Sequence, residues 1–107
     1  MTLDPSSLHG VIPPISTPLT PDRTLDVESF RRLIDHQIDA GIHGLFVLGS
    51  TSEAPLLTNA MQDQVIATAV EQVAGRIPVL AGCIDFTTAR VIERGLRAKE
   101  LGADGIV

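Results

Sequence analysis

Short apolar runs recur along this chain and predict strands. The runs at 45–48 and 77–82 are continuously apolar, which is typical of strands covered on both faces. A further run begins at 106–107 and predicts the first half of another strand. The segment 10–18 is also apolar, and its prolines exclude a helix. It suits a first strand, although Pro13 and Pro14 would each remove a donor from the ladder.

Helices are predicted between these strands, because apolar residues there recur at intervals of three and four. In the first predicted helix the recurring residues are Val27, Phe30, Ile34 and Ile38. The predicted starts are Asp26 (as N-cap), Thr58, and Thr87 or Thr88. The glycines predicted to close the helices are Gly41, Gly75 and Gly102.

The same helix-to-strand joint occurs twice, at 40–44 and 101–105. Strand centres lie about 30 residues apart, the length of one βα unit. Consecutive βα units build either a (β/α)8 barrel or an open doubly wound sheet. A full barrel needs about 250 residues. The 107 residues supply three βα units and the start of a fourth strand.

Composition and charge exclude several classes of protein. The net charge of −5 argues against nucleic acid as a partner, because such binding rests on Lys and Arg. The one cysteine, Cys83, excludes an intramolecular disulfide. No run is long enough to span a bilayer, and residues 1–7 do not form a signal peptide. These features predict a soluble cytoplasmic α/β protein with no membrane partner.

The run Gly49-Ser50-Thr51-Ser52-Glu53 is the strongest candidate for chemistry. It directly follows a predicted buried strand, where parallel sheets deliver polar groups to a site. Gly49 lets the backbone turn without a Cβ clash. Hydroxyls and free N–H groups there suit a small carboxylate, and bonds to a charged partner contribute roughly 1.5–3 kcal/mol each. An ordinary Ser/Thr turn before Pro55 is the alternative interpretation.

With its surroundings, this run resembles the dihydrodipicolinate synthase/N-acetylneuraminate lyase family of pyruvate-dependent class I aldolases. The resemblance covers essentially all 107 residues, and the strand-end Gly-Thr/Ser-Thr-Gly-Glu signature is its most specific motif. The supporting segments, in chain order, are Gly10 to Pro18, Leu56-Leu57-Thr58, Arg76 to Gly82, and Gly102 to Gly105.

The resemblance implies an α/β fold of the TIM (β/α)8 barrel type, of which residues 1–107 are the N-terminal part. It implies a lysine Schiff base with pyruvate and an aldehyde as the second substrate. Thr51 matches the residue that binds the pyruvate carboxylate, with Gly49 and Ser50 beside it. Ser50 matches a catalytic proton-relay residue that works with two tyrosines. No metal or diffusible cofactor is implied, and the full-length family leans to homotetramers.

Three departures from the family stand out. Ser52 replaces the usual glycine of the signature, a costly change if the position needs a positive φ. The loop 83–87 lacks the Gly- and Asn-containing pattern of dihydrodipicolinate synthases proper, so the aldehyde is left open. The matching lysine and both tyrosines would lie beyond Val107, so the bare chain is expected to be inactive.

Other reactive side chains are predicted to be structural. Lys99, the only lysine, is expected to be solvated, Cys83 to be a small buried hydrophobe, and the arginine series to be a solvated helix face. Asp85 is interpreted as a cap or as a residue at the substrate entrance. The remaining residues in this group are His9, His36 and His43, which lack metal-ligand spacing, Glu53, interpreted as structural, and the arginines Arg90, Arg94 and Arg97.

Two other functions stay open. One is a sugar-acid aldolase or hydratase-aldolase of the same family, which differs in the aldehyde. The other is a non-enzymatic α/β module that binds a small anion or serves assembly.

Overall fold

The computed structural model describes residues 3–107 and contains alternating helices and strands. In chain order they are α1 (Val27–Asp39), β1 (Leu45–Val47), α2 (Asn59–Val73), β2 (Val79–Ala81), α3 (Thr88–Glu100) and β3 (Gly105–Ile106). Short 3₁₀ turns lie at Pro5–Ser7 and Ala54–Leu56. None of the described helices is both long and apolar enough to cross a membrane.

The three strands form one parallel sheet in the order β1-β2-β3. The predicted first strand is reduced to an extended segment, which joins β1 through an isolated bridge between Pro14 and Phe46. Around it, Phe46 N–H donates to Pro13 O at 3.1 Å and Ile15 N–H donates to Phe46 O at 3.0 Å. The missing proline N–H groups explain why the ladder does not extend further.

The core lies between the sheet and its helices. Successive strand residues point to opposite faces, so Leu45 and Val47 are buried while Phe46 between them is half-buried. Val79 and Ala81 of β2 repeat the pattern. The helices contribute further buried side chains to the same cluster: Phe30, Ile34, Val65, Ile66, Ala69, Val73 and Ala98.

The predicted helix starts are confirmed. Asp26, Thr58 and Thr87 each accept, through a side-chain oxygen, a hydrogen bond from the backbone N–H three residues on. The predicted C-terminal ends of the helices differ from the structure at one of the three glycines. Gly41 and Gly102 have φ of +93° and +99°, as expected of C′ residues, but α2 ends with Ala74 itself left-handed at φ +50°, ahead of Gly75 at +77°.

The prediction of a purely solvated arginine face on α3 is wrong for Arg94. Its side chain is 11% exposed and pairs with Asp63 of α2 at 2.8 Å, and Arg97 reaches the other oxygen of Asp63 at 3.0 Å. The sequence offered no signal, because α2 and α3 meet only in the fold. One carboxylate between two guanidinium groups therefore joins these helices.

Asp63→Asn is expected to lower the free energy of unfolding by about 1 kcal/mol at neutral pH. Burial raises the pKa of the Asp63 carboxyl, but hydrogen bonds from Arg94 and Arg97 and their charges outweigh it, so the net shift is downward. A lowered folded-state pKa contributes stability above the unfolded value of about 3.9, and this is lost as pH falls through the folded value.

Denaturant unfolding between neutral and acidic pH checks this. The wild-type protein is expected to lose stability relative to Asp63→Asn below about pH 4. Asp39→Asn is the control, because Asp39 is exposed and forms no ion pair within residues 3–107. Equal pH slopes for the wild type and Asp63→Asn would contradict the assignment.

Candidate functional site

The polar turn 49–53 lies at the carboxyl end of β1, where the sequence predicts it. Ser52 N–H donates to Gly49 O at 3.1 Å and Glu53 N–H donates to Ser50 O at 3.0 Å, which closes a compact turn. Non-glycine residues with positive φ stand at both ends, Leu48 at +61° and Glu53 at +59°. Such backbone is uncommon and concentrates at functional sites, so this turn is the leading candidate.

The turn requires Gly49 because this residue lacks a Cβ, and not because its φ is positive. Its φ is not positive, and the left-handed residue is Leu48 beside it. A Cβ built on Gly49 would lie 2.8 Å from the Phe46 ring. The expectation that glycine avoids a Cβ clash is therefore confirmed, and the clash is with the aromatic ring.

Ser50 and Thr51 are adjacent exposed residues of the turn. Within residues 3–107, neither backbone N–H has a protein acceptor and neither hydroxyl has a protein partner. Two adjacent N–H groups and two hydroxyls are thus free at the carboxyl edge of a parallel sheet. This set of donors suits a small carboxylate.

Ser52 is buried, with 1% of its surface exposed, and its hydroxyl donates to Ile15 O. Its φ is not positive, so the concern that Ser52 would strain a glycine position is not supported. The hydroxyl instead ties the turn to the first extended segment. Sequence reasoning missed this contact, which joins residues 37 positions apart.

Glu53 takes the left-handed conformation instead of Ser52. Its side chain is exposed and makes no hydrogen bond or ion pair with any of the described residues. No contact with the described residues therefore supports the structural role predicted for this carboxylate.

The loop after β2 runs against the polar turn. Gly82 N–H donates to Val47 O at 2.8 Å, and a Cβ on Gly82 would lie 2.1 Å from Leu48 O. Only glycine allows the two loops to approach this closely. Cys83 next to it is buried, as predicted, and this burial raises the pKa of its thiol.

Asp85 is held by its own loop and by the first turn of α3. Its carboxylate accepts from Phe86 N–H at 2.7 Å and pairs with Arg90 at 2.7 Å, and these contacts lower its pKa, the Arg90 hydrogen bond most. The N-cap of α3 is Thr87, so Asp85 is not itself the cap. Beside it, Phe86 is 97% exposed.

The remaining reactive side chains lie away from the turn. Lys99 is exposed in the last turn of α3, where a cation is favourable. His9, His36 and His43 are all exposed, and His9 and His43 lie with ring centroids 4.7 Å apart. No group of three His, Cys, Asp or Glu side chains in the described part of the chain is arranged to hold a metal ion.

Comparison with known proteins decides the family. The profile of the dihydrodipicolinate synthetase family matches residues 7–107, nearly the whole chain. The chain belongs to this family. The resemblance seen in the signature residues is thereby confirmed.

Family members with solved structures share the fold. A dihydrodipicolinate synthase from Aquifex aeolicus superposes with a TM-score of 0.88 at 36% identity, over 92% of this chain and 33% of that one. YagE, a prophage protein from E. coli K12 in complex with pyruvate, superposes with a TM-score of 0.87 at 40% identity, over 91% of this chain and 33% of that one. The predicted fold class, part of a (β/α)8 barrel, is confirmed.

Sequence relatives agree with the structures. A 4-hydroxy-tetrahydrodipicolinate synthase from Stenotrophomonas maltophilia (strain R551-3) is 47% identical over 97 residues, which are 91% of this chain and 33% of the relative. The chain therefore spans about a third of the length of the curated relatives it matches.

Proposed function

We propose that these residues form the N-terminal part of one barrel domain in a pyruvate-dependent class I aldolase of the dihydrodipicolinate synthase family. One observation carries the proposal: the turn 49–53 presents two free N–H groups and two free hydroxyls at the carboxyl edge of the sheet. Active sites of such barrels lie at that edge. A relative of the same fold has pyruvate bound, which supports pyruvate as the ligand.

In this proposal the turn holds pyruvate by its carboxylate. The Thr51 hydroxyl and N–H donate to one end of the carboxylate, with the Gly49–Ser50 backbone beside it. Charge-assisted bonds of this kind fix orientation as well as supply affinity. Pyruvate is then held with its ketone carbon away from the turn, where a lysine can reach it.

The chemistry follows from the imine. A lysine amine adds to the pyruvate ketone and water leaves, giving a cationic imine. The methyl group then loses a proton because the imine nitrogen accepts the electron pair, and the resulting enamine carbon attacks the aldehyde. Ser50 relays the protons that these steps move. The reverse sequence releases the aldehyde.

Lys99 is not the proposed nucleophile. It is exposed on α3, whereas an imine-forming lysine is activated by desolvation or by a neighbouring cation. The nucleophile is therefore assigned to a part of the barrel other than these residues, and the 107 residues alone are expected to be inactive. The whole enzyme is expected to be a cytoplasmic homo-oligomer that needs no metal or cofactor and binds neither nucleic acid nor membrane.

Trapping with borohydride tests the proposal. The full-length protein that contains this chain, incubated with pyruvate and borohydride, is expected to gain the mass of pyruvate less water plus two hydrogens. Lactate is the matched control, because it keeps the carboxylate but has no ketone to form an imine. Intact-mass spectrometry reads the result. No adduct with pyruvate would overturn the aldolase and favour the small-anion-binding or assembly module.

The loop after β2 favours a second candidate within the family. It places Ile84 and Phe86 at the surface, and it lacks the Gly- and Asn-containing pattern of dihydrodipicolinate synthases proper. A sugar-acid aldolase or hydratase-aldolase remains a candidate for this reason. Turnover measured with pyruvate and a panel of aldehydes, among them aspartate semialdehyde and sugar-derived aldehydes, separates the two.

A further inference from the structure

The start of the first extended segment is held by the side chain of His43. Val11 N–H donates to His43 Nδ1 at 3.0 Å, and His43 N–H donates back to Val11 O at 2.8 Å. A nitrogen that accepts a hydrogen bond carries no proton, so this contact requires the His43 tautomer with its proton on Nε2. Both backbone groups of Val11 are thus satisfied by one histidine.

This contact matters because the segment is poor in donors. Pro13 and Pro14 have no N–H to donate. The hydrogen bonds that residues 11–15 donate toward β1, or toward the residues just before β1, therefore come from Val11 and Ile15. The Ile15 bond goes to a backbone carbonyl, Phe46 O, at 3.0 Å. The Val11 bond goes to a side-chain nitrogen, His43 Nδ1.

The His43 ring lies against Gly10 and against a second imidazole, that of His9. A Cβ on Gly10, which has φ +70°, would lie 2.2 Å from Nδ1, so the ring packs directly over this glycine. His9 faces the ring, with centroids 4.7 Å apart and planes tilted by 54°. The preceding helix ends with His36 and Asp39, and neither imidazole of the His9–His43 pair forms an ion pair within residues 3–107.

We propose that His43 is a protonation-sensitive latch for the first extended segment. When neutral, it accepts from Val11 N–H and holds the segment on β1. A protonated Nδ1 is itself a donor, so it repels Val11 N–H, and a protonated His9 would add a second repulsion.

One further hydrogen bond connects the first extended segment, which the latch holds, to the polar turn. Ile15, four residues after Val11, accepts the Ser52 hydroxyl with its carbonyl. Release of the segment in mild acid therefore loosens the support beneath Ser50 and Thr51. Only this last consequence rests on the proposed function, because the latch itself requires no pyruvate.

Hydrogen exchange on the full-length protein tests the latch. Exchange of peptides spanning 9–17, corrected for the intrinsic rate, is expected to quicken about threefold to tenfold between about pH 8 and about pH 5. In His43→Asn the amide oxygen can accept from Val11 N–H at every pH, so the change is expected to vanish. His36→Asn, an exposed histidine on α1, is the matched control and should behave like the wild type.

A second readout needs no variant. Nitrogen chemical shifts of the His43 ring at alkaline pH are expected to report a proton on Nε2, and a proton on Nδ1 would overturn the latch. Corrected exchange that does not change with pH, or that changes equally in His43→Asn, would also overturn it. Since none of these measurements includes pyruvate, their outcome is independent of the outcome of the borohydride experiment.

Discussion

Replacing Gly82 with alanine is expected to destabilise the protein by at least about 3 kcal/mol. The added Cβ would lie 2.1 Å from Leu48 O, 2.7 Å from Leu48 C and 3.2 Å from Gly49 N. All three are backbone atoms, so no side-chain rotation relieves the overlap. Moving them would break the bond from Gly82 N–H to Val47 O or shift the left-handed Leu48. The free energy of unfolding, measured by denaturant at fixed protein concentration, checks this.

Gly105→Ala is the matched control. Gly105 lies in β3, also without a positive φ, and its Cβ would come within 2.9 Å of Leu80 Cδ2, the far end of a flexible side chain. A small rotation relieves this contact, so the expected cost is about 1 kcal/mol. If the two substitutions cost the same, the close approach of the two loops would not be a constraint on the fold.

The helices were predictable because their signals are local. Asp26, Thr58 and Thr87 each cap the N–H three residues on, so the sequence contains both partners within one turn. The βα alternation that predicts the fold class is likewise visible in periodicity and spacing, and its assignment to a (β/α)8 barrel came from family resemblance. Strand lengths were less predictable, because Pro13 and Pro14 allow a bridge but no ladder.

The contacts that shape the candidate site were not predictable from local pattern. Ser52 and Ile15 are 37 residues apart, and Arg94 and Asp63 are 31 apart, so no spacing rule links them. Left-handed backbone in the turn falls on Leu48 and Glu53, neither of which the sequence marks, because tertiary packing sets the backbone there. The assignment of Ser50, Thr51 and Gly49 to pyruvate stays a prediction drawn from family resemblance.

Thr51→Val is expected to weaken pyruvate binding by the full-length enzyme about 10-fold to 100-fold. Valine keeps the shape and the backbone N–H of Thr51 but removes the hydroxyl that donates to the carboxylate. Thr51 is exposed and its hydroxyl has no partner among residues 3–107, so stability should change little. The concentration of pyruvate that gives half-maximal borohydride trapping measures the effect.

Ser50→Ala tests whether Ser50 relays protons, a role distinct from the binding of the carboxylate by Thr51. Ser50 and Thr51 are neighbours on the same exposed turn, so a general disturbance of the turn would affect both variants alike. If Thr51 holds the carboxylate and Ser50 relays protons, Thr51→Val raises the half-maximal pyruvate concentration. Ser50→Ala instead lowers kcat, by about 100-fold, with pyruvate trapping nearly intact. Equal effects of both variants on trapping would assign the two hydroxyls a shared binding role and remove Ser50 from the proton relay.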